Sequence, residues 1–208
     1  MKRAAILVAA LLAAACSSGG SAQGTVSGTV TVDGGPVELG SVGEGDSFVY
    51  SDTACSGTSQ TVVGVALSAR SGVCSALSVQ ASMANNTELF LTVSAASSSG
   101  GAAPSTIANG TYSIGTPTSA GGAVYTANAT LEQIDGACAT TPSFATSGSI
   151  TLTNSAGAQV NGSFTATFGS SGTFTGTFAA PTCQVDATNP DGGTVTYCDL
   201  GQTVNCEQ

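Results

Sequence analysis

The stretch SGSITLTNSAGAQVNGSFTATFGSSGTFTGTFAA, residues 147–180, decides the fold. Ile150, Leu152, Val160, Phe164, Phe168, Phe174 and Phe178 all fall on even numbers, and Gly162, Ala166, Gly176 and Ala180 share that parity. Thr165, Thr167, Thr173, Thr175 and Thr177 fill the odd positions between them. An apolar set that returns every second residue, interleaved with β-branched polar residues, specifies half-buried antiparallel strands. Asn154-Ser-Ala-Gly157 and Gly169-Ser-Ser-Gly172 separate the runs and read as hairpin turns. Ser163–Phe168 and Thr173–Phe178 are near copies and read as the two arms of one hairpin. The alternation predicts that Phe164, Phe168, Phe174 and Phe178 share one buried face.

Outward from this meander the same pattern continues with more noise. Thr25–Val32, Val37–Val42, Phe48–Tyr50, Thr61–Leu67, Leu77–Val79, Leu89–Val93, Thr111–Ile114 and Val124–Ile134 are the further strand candidates. Gly and Ser interrupt every helical pattern, and a helical turn is conceivable only near Leu131–Ile134. About nine to eleven short strands with regular turn spacing predict an all-β chain, a single antiparallel β-sandwich or flattened barrel ending in a meander of hairpins and stabilised by disulfides. Ser94–Ser105 (SAASSSGGAAPS) is a low-complexity stretch. It reads as a long loop within one domain, because neither half of the chain has an aromatic core of its own.

The 208 residues include no His and no Trp, with 3 Lys+Arg against 12 Asp+Glu. Without His there is no Ser-His-Asp triad, no Cys-His pair and no His-ligated metal. A net charge of −9 excludes nucleic-acid binding through a basic patch.

Lys2 and Arg3 precede the uncharged run Ala4–Ala15, which is too short to span a bilayer as a mature helix and suits the apolar region of an export signal. The run ends in Leu12-Ala-Ala-Ala-Cys16, followed by Ser17-Ser-Gly-Gly-Ser21. This resembles the signal of bacterial lipoproteins, in which the cysteine is acylated and becomes the new N-terminus. Ala13 departs from the large aliphatic residue preferred three places before that cysteine. The resemblance implies a signal peptide at 1–15, lipidation of Cys16, a Ser/Gly tether at 16–23, and outer-membrane anchoring with the membrane as partner through the lipid. Ordinary cleavage after Ala15 or near Ala22, which yields a secreted soluble protein, is the competing reading. A β-domain at 24–183 and a cysteine-containing tail at 184–208 complete the organisation. Once residues 1–15 are removed, one base, Arg70, faces all twelve acids. Packing, backbone hydrogen bonds and cross-links must therefore supply the stability.

Six cysteines remain beyond Cys16, an even number suited to an oxidising compartment. Of the 15 connectivities open to six cysteines, nearest-neighbour pairing predicts Cys55–Cys74, Cys138–Cys183 and Cys198–Cys206. The absence of CxxC and of His argues against a thiolate metal site.

Ser47–Cys55, Asn109–Ile114, Asp135-Gly-Ala-Cys138, Ser147–Thr153 and Gly172–Cys183, taken in order, resemble a group of uncharacterised deltaproteobacterial (myxobacterial-type) secreted lipoproteins with an all-β domain. The resemblance implies an exported β-domain whose Asp-Gly-Ala-Cys138 and Pro-Thr-Cys183 cysteines flank the last hairpins. It implies no activity and no catalytic residues.

Candidate chemistry is sparse. Gly45-Asp46-Ser47 matches a short esterase motif, but no His is present to activate the serine. Glu44, Asp46 and Asp52 cluster before Cys55, and Glu132 and Asp135 before Cys138. Paired carboxylates can serve glycoside hydrolysis, but without Trp platforms they read as solvated turns. Asp186, Asn189 and Asp191 form a weak calcium candidate that lacks the spacing of an EF-hand and also reads as a type I turn. No catalytic residue and no cofactor is expected. The leading expectation is a lipid-anchored, non-catalytic envelope or surface domain with a structural or interaction role. The alternatives are a small apolar ligand held in a cavity between Phe-lined sheets and, third, a carboxylate-only hydrolase.

Overall fold

The computed structural model describes residues 24–32, 35–39, 42, 44–52, 59–70, 72–74, 81–183 and 205–207. The described residues are nearly all β. β1 (Thr25–Ser27), β8 (Gly110–Ser113), β12 (Ser147–Asn154), β13 (Gln159–Thr167) and β14 (Thr173–Pro181) form a five-stranded sheet in the order β1-β14-β13-β12-β8. β4 (Glu44–Asp52), β5 (Gln60–Ser68), β7 (Asn86–Ser97), β10 (Ala123–Ile134) and β11 (Thr140–Phe144) form the second sheet in the order β11-β10-β7-β5-β4. β9 (Thr118–Ala120) joins it on β10. Two small ribbons lie beside the sheets in sequence: β2 (Val30–Val32) with β3 (Gly35–Val37), and β6 (Ala81–Met83) with β15 (Asn205–Glu207). Every pair within the two large sheets is antiparallel. Among the described residues no helix is long and apolar enough to cross a membrane.

The sheets pack face to face, so the architecture is a sandwich rather than a closed barrel. Even-numbered residues of β12–β14 meet Val63, Val65, Leu67, Leu89, Leu91 and Leu131 of the second sheet in one buried cluster. All four predicted phenylalanines lie in that cluster, and Phe174 is wholly buried. Phe168 and Phe174 meet edge-on with centroids 6.0 Å apart. Phe164 stands opposite Gly176, and Phe178 opposite Gly162. Each ring covers the bare backbone across from it: a Cβ on Gly176 would lie 2.8 Å from the Phe164 ring, and one on Gly162 2.5 Å from that of Phe178. The rings therefore fill the interior instead of lining a space.

Two seams hold the sheets together at their edges. On one side Ser47 bridges Thr182, the Cys183 amide donates to the Ser47 carbonyl at 2.7 Å, and the Ser47 hydroxyl donates to the Ala180 carbonyl at 2.9 Å. On the other side Ile114 bridges Ala127, and the Gly115 amide donates to the Ala127 carbonyl.

Several expectations change. Thr25–Val32 is not one strand: at Gly28 the backbone takes φ +113° and crosses from β1 to β2, a conformation that glycine alone enters without strain. Val37–Val42 gives way to the short β3, which ends at Val37. Leu131–Ile134 is strand throughout, its backbone paired with both β7 and β11. β7 runs on to Ser97, so the low-complexity loop starts later than its composition suggests. The loop is tied to the body: the Ala103 amide donates to the Ser59 hydroxyl at 3.3 Å, and the Thr61 hydroxyl donates to the Pro104 carbonyl. The strand expected at Leu77–Val79 lies outside the described residues.

The disulfide pairing is corrected. Cys74 is bonded to Cys183, with Cα atoms 5.6 Å apart and a sequence separation of 109. This replaces both Cys55–Cys74 and Cys138–Cys183. The reason is the edge seam: the end of β14 runs beside β4 at Ser47, and the chain leaving β5 reaches the same place. Neighbours in sequence are not neighbours across a sandwich. Cys138 is also disulfide-bonded, to a cysteine other than Cys183. Cys16 and the Cys198–Cys206 link lie outside the described residues and side chains.

Candidate functional site

Two arrangements of polar side chains stand out, one on the outer face of each sheet.

In the six-stranded sheet, register brings together acids that are far apart in sequence. Glu44 pairs with Ser68, Ser68 with Glu88, and Glu88 with Glu132, so four neighbouring strands carry them at one level. Directly opposed residues share a face of the sheet, which sets the Glu88 and Glu132 side chains next to each other. The level thus joins one member of each expected acidic cluster, Glu44 and Glu132, with a third acid that lies in neither. Asp46 lies two positions along β4, and Asp52 sits at its far end. Asp135 instead closes the turn after β10, where its carboxylate accepts the amides of Ala137 at 2.8 Å and Ala139 at 2.9 Å.

Glu88 is only 6% exposed. It accepts a hydrogen bond from the Asn86 side-chain amide at 2.5 Å, and the Asn86 oxygen accepts one from the Ser68 hydroxyl at 3.0 Å. Ser68 in turn accepts the Arg70 amide at 3.0 Å. Burial pushes the Glu88 carboxyl up to about 7; the Asn86 hydrogen bond opposes this and neighbouring Glu132 adds to it. Burial also raises Glu132. A carboxyl that titrates near neutrality beside a second one has the protonation chemistry of an acid–base pair. The Glu88 carboxylate is buried in a hydrogen-bond network with Asn86 and Ser68.

Glu88 escapes a sequence reading because it heads the apolar run Leu89–Val93. The available signal is its parity: it alternates with Leu89 and Leu91, so it faces away from the shared core. Among the described residues no group of three or more His, Cys, Asp or Glu is placed to hold a metal ion. The weak calcium candidate, Asp186, Asn189 and Asp191, lies outside them.

The five-stranded sheet presents a different face. Its strands carry no charged residue at all. One register level reads Thr25, Thr177, Ser163, Thr151, Thr111 across all five strands. The next reads Ser27, Thr175, Thr165, Ser149, Ser113. Both levels are exposed or half-buried throughout. Strand spacing sets neighbours along a level about 4.8 Å apart and successive levels about 6.8 Å apart. Neighbouring hydroxyls pair within the face: Thr111 with Thr151 at 2.9 Å, Thr167 with Thr173 at 3.0 Å, and Thr25 with Thr177 at 3.2 Å. The threonines of the last hairpin are legible as an outward face from sequence. That Thr25 and Thr111 extend it on both sides is set by register alone.

Comparison with protein-family models, with curated proteins and with solved structures returns no match.

Proposed function

We propose that this protein is a lipid-anchored, non-catalytic β-domain of the bacterial envelope, attached to the outer membrane through Cys16 and acting by contact rather than by chemistry. The observation that carries the reading is the sequence Leu12-Ala-Ala-Ala-Cys16 directly before a Ser/Gly tether. An apolar segment of this length before small residues suits a secretory signal, and the cysteine that follows resembles the acylated N-terminus of bacterial lipoproteins. The resemblance to secreted myxobacterial-type lipoproteins points the same way. The buried carboxyl of Glu88 and the absence of His from the whole chain favour a binding role over a catalytic one. The ring-filled core leaves the reading of a small apolar ligand between the sheets without support.

The test is fractionation of cells making the full chain or its Cys16→Ser variant, with mass analysis of the mature N-terminus. The wild type is expected in the detergent phase with an acylated Cys16, and the variant in the soluble exported fraction. Wild type and variant both soluble, with the same N-terminus, would overturn the anchor.

A further inference from the structure

We propose that the hydroxyl face of the five-stranded sheet is a docking surface for a neutral polysaccharide. The inference rests on the exported, envelope-facing reading above and names the partner of that domain.

Three observations converge on this ligand chemistry. The first is charge. The chain beyond residue 15 has twelve acids and one base, yet the five strands carry none of them. A basic partner would be drawn to the acid-bearing sheet instead, and an acidic glycan would be repelled by the chain as a whole. The second is the lack of large apolar side chains facing outward: the outward positions of β13 and β14 are Gln159, Asn161, Ser163, threonines, Ala179 and Pro181. An apolar protein partner finds no anchor there.

The third is hydroxyl geometry. Oγ pairs 2.9 to 3.2 Å apart recur on β8·β12, β13·β14 and β1·β14. Neighbouring oxygens on a pyranose ring have a similar separation, so each protein pair can exchange two hydrogen bonds with one vicinal diol, every hydroxyl being both donor and acceptor. The same pairing departs from an even oxygen lattice, which sets the face apart from an ice template. A single exchanged hydrogen bond contributes little net. Binding therefore depends on many contacts at once, as a polymer laid across five strands provides, and affinity should grow with the length of the glycan.

The experiment is native affinity electrophoresis of the purified domain, disulfides intact, through gels containing dextran, laminarin, mannan or alginate. At least one neutral polymer should retard the wild type, alginate should not, and added salt should leave the retardation unchanged because no ion pair contributes. The double variant Thr151→Val, Thr175→Val keeps side-chain shape and strand preference but removes two hydroxyls, and should bind roughly tenfold more weakly. Thr130→Val on β10 of the other sheet should bind as the wild type does. Thermal melts of both variants establish that they fold. No retardation in any neutral polymer, retardation abolished by salt, or undiminished binding by the folded double variant would each overturn the proposal. Cell fractionation decides the anchor separately, so failure of one claim leaves the other standing.

Discussion

Phe178 lies across Gly162 on the neighbouring strand, and the position of a Cβ on that glycine would fall 2.5 Å from the tip of the ring and 2.1 Å from the Thr151 carbonyl oxygen. Phe164 repeats the relation over Gly176. An aromatic ring laid over a strand glycine shields the exposed backbone and pins the register. The two near-copied arms of the hairpin thus lock each other reciprocally, ring to glycine in both directions.

Gly162→Ala should therefore destabilise, although alanine is ordinarily the better strand residue. Overpacking of this kind costs about 1–3 kcal/mol, whereas Phe178→Ala should cost about 3–5 kcal/mol. Chemical denaturation followed by far-UV circular dichroism measures both. A Gly162→Ala protein as stable as wild type would show that both the Phe178 ring and the β12 backbone at Thr151 yield freely.

The Cys74–Cys183 bond closes a loop of 109 positions. Chain entropy assigns a loop of that size roughly 5 kcal/mol. The Cys74→Ala, Cys183→Ala protein should lose a large part of its stability by denaturant titration. Peptide mapping without reduction should recover Cys74 joined to Cys183. With Arg70 the only base beyond Arg3, Glu-C or Asp-N digestion is the practical route. A map that joins Cys138 to Cys183 would refute this connectivity.

Stability should fall as pH rises toward neutrality. The Glu88 carboxyl sits at about 7 in the folded chain against 4.5 for the free side chain. Between those values the native state holds a proton that the unfolded state has released. The contribution is fully present below about 4.5 and lost as pH rises through about 7, to the extent of about 3 kcal/mol. Glu132 acts in the same direction. Glu88→Gln should flatten the profile between about pH 4.5 and 8, and an unchanged slope would contradict the assignment.

Ser47→Ala tests the seam between the sheets. The Ser47 side chain is wholly buried and donates to the Ala180 carbonyl at 2.9 Å. Its loss should cost about 1 kcal/mol. Amide hydrogen exchange should accelerate first at Thr182 and Cys183, whose backbone lies along that edge. Faster exchange confined to β12 would place the weak point elsewhere.

The strand character of residues 147–180, the burial of the four phenylalanines and the outward threonines are written in local alternation, and a period of two needs no partner to be read. The even set of six cysteines beyond Cys16 is equally local, and so is the scarcity of bases that leaves packing to stabilise the domain. The tertiary structure alone decided which strands lie side by side. Thr25 meets Thr177 and Cys74 meets Cys183, while Glu88 and Glu132 stand opposed on neighbouring strands. These contacts join positions 44 to 152 residues apart, and pairing over such separations depends on register and on which edges the sandwich brings together. Alternation shows which face of a strand is buried but not which strand comes next to it. The hydroxyl rows and the buried acid are properties of that neighbour order, so they emerge only when the sheets are assembled.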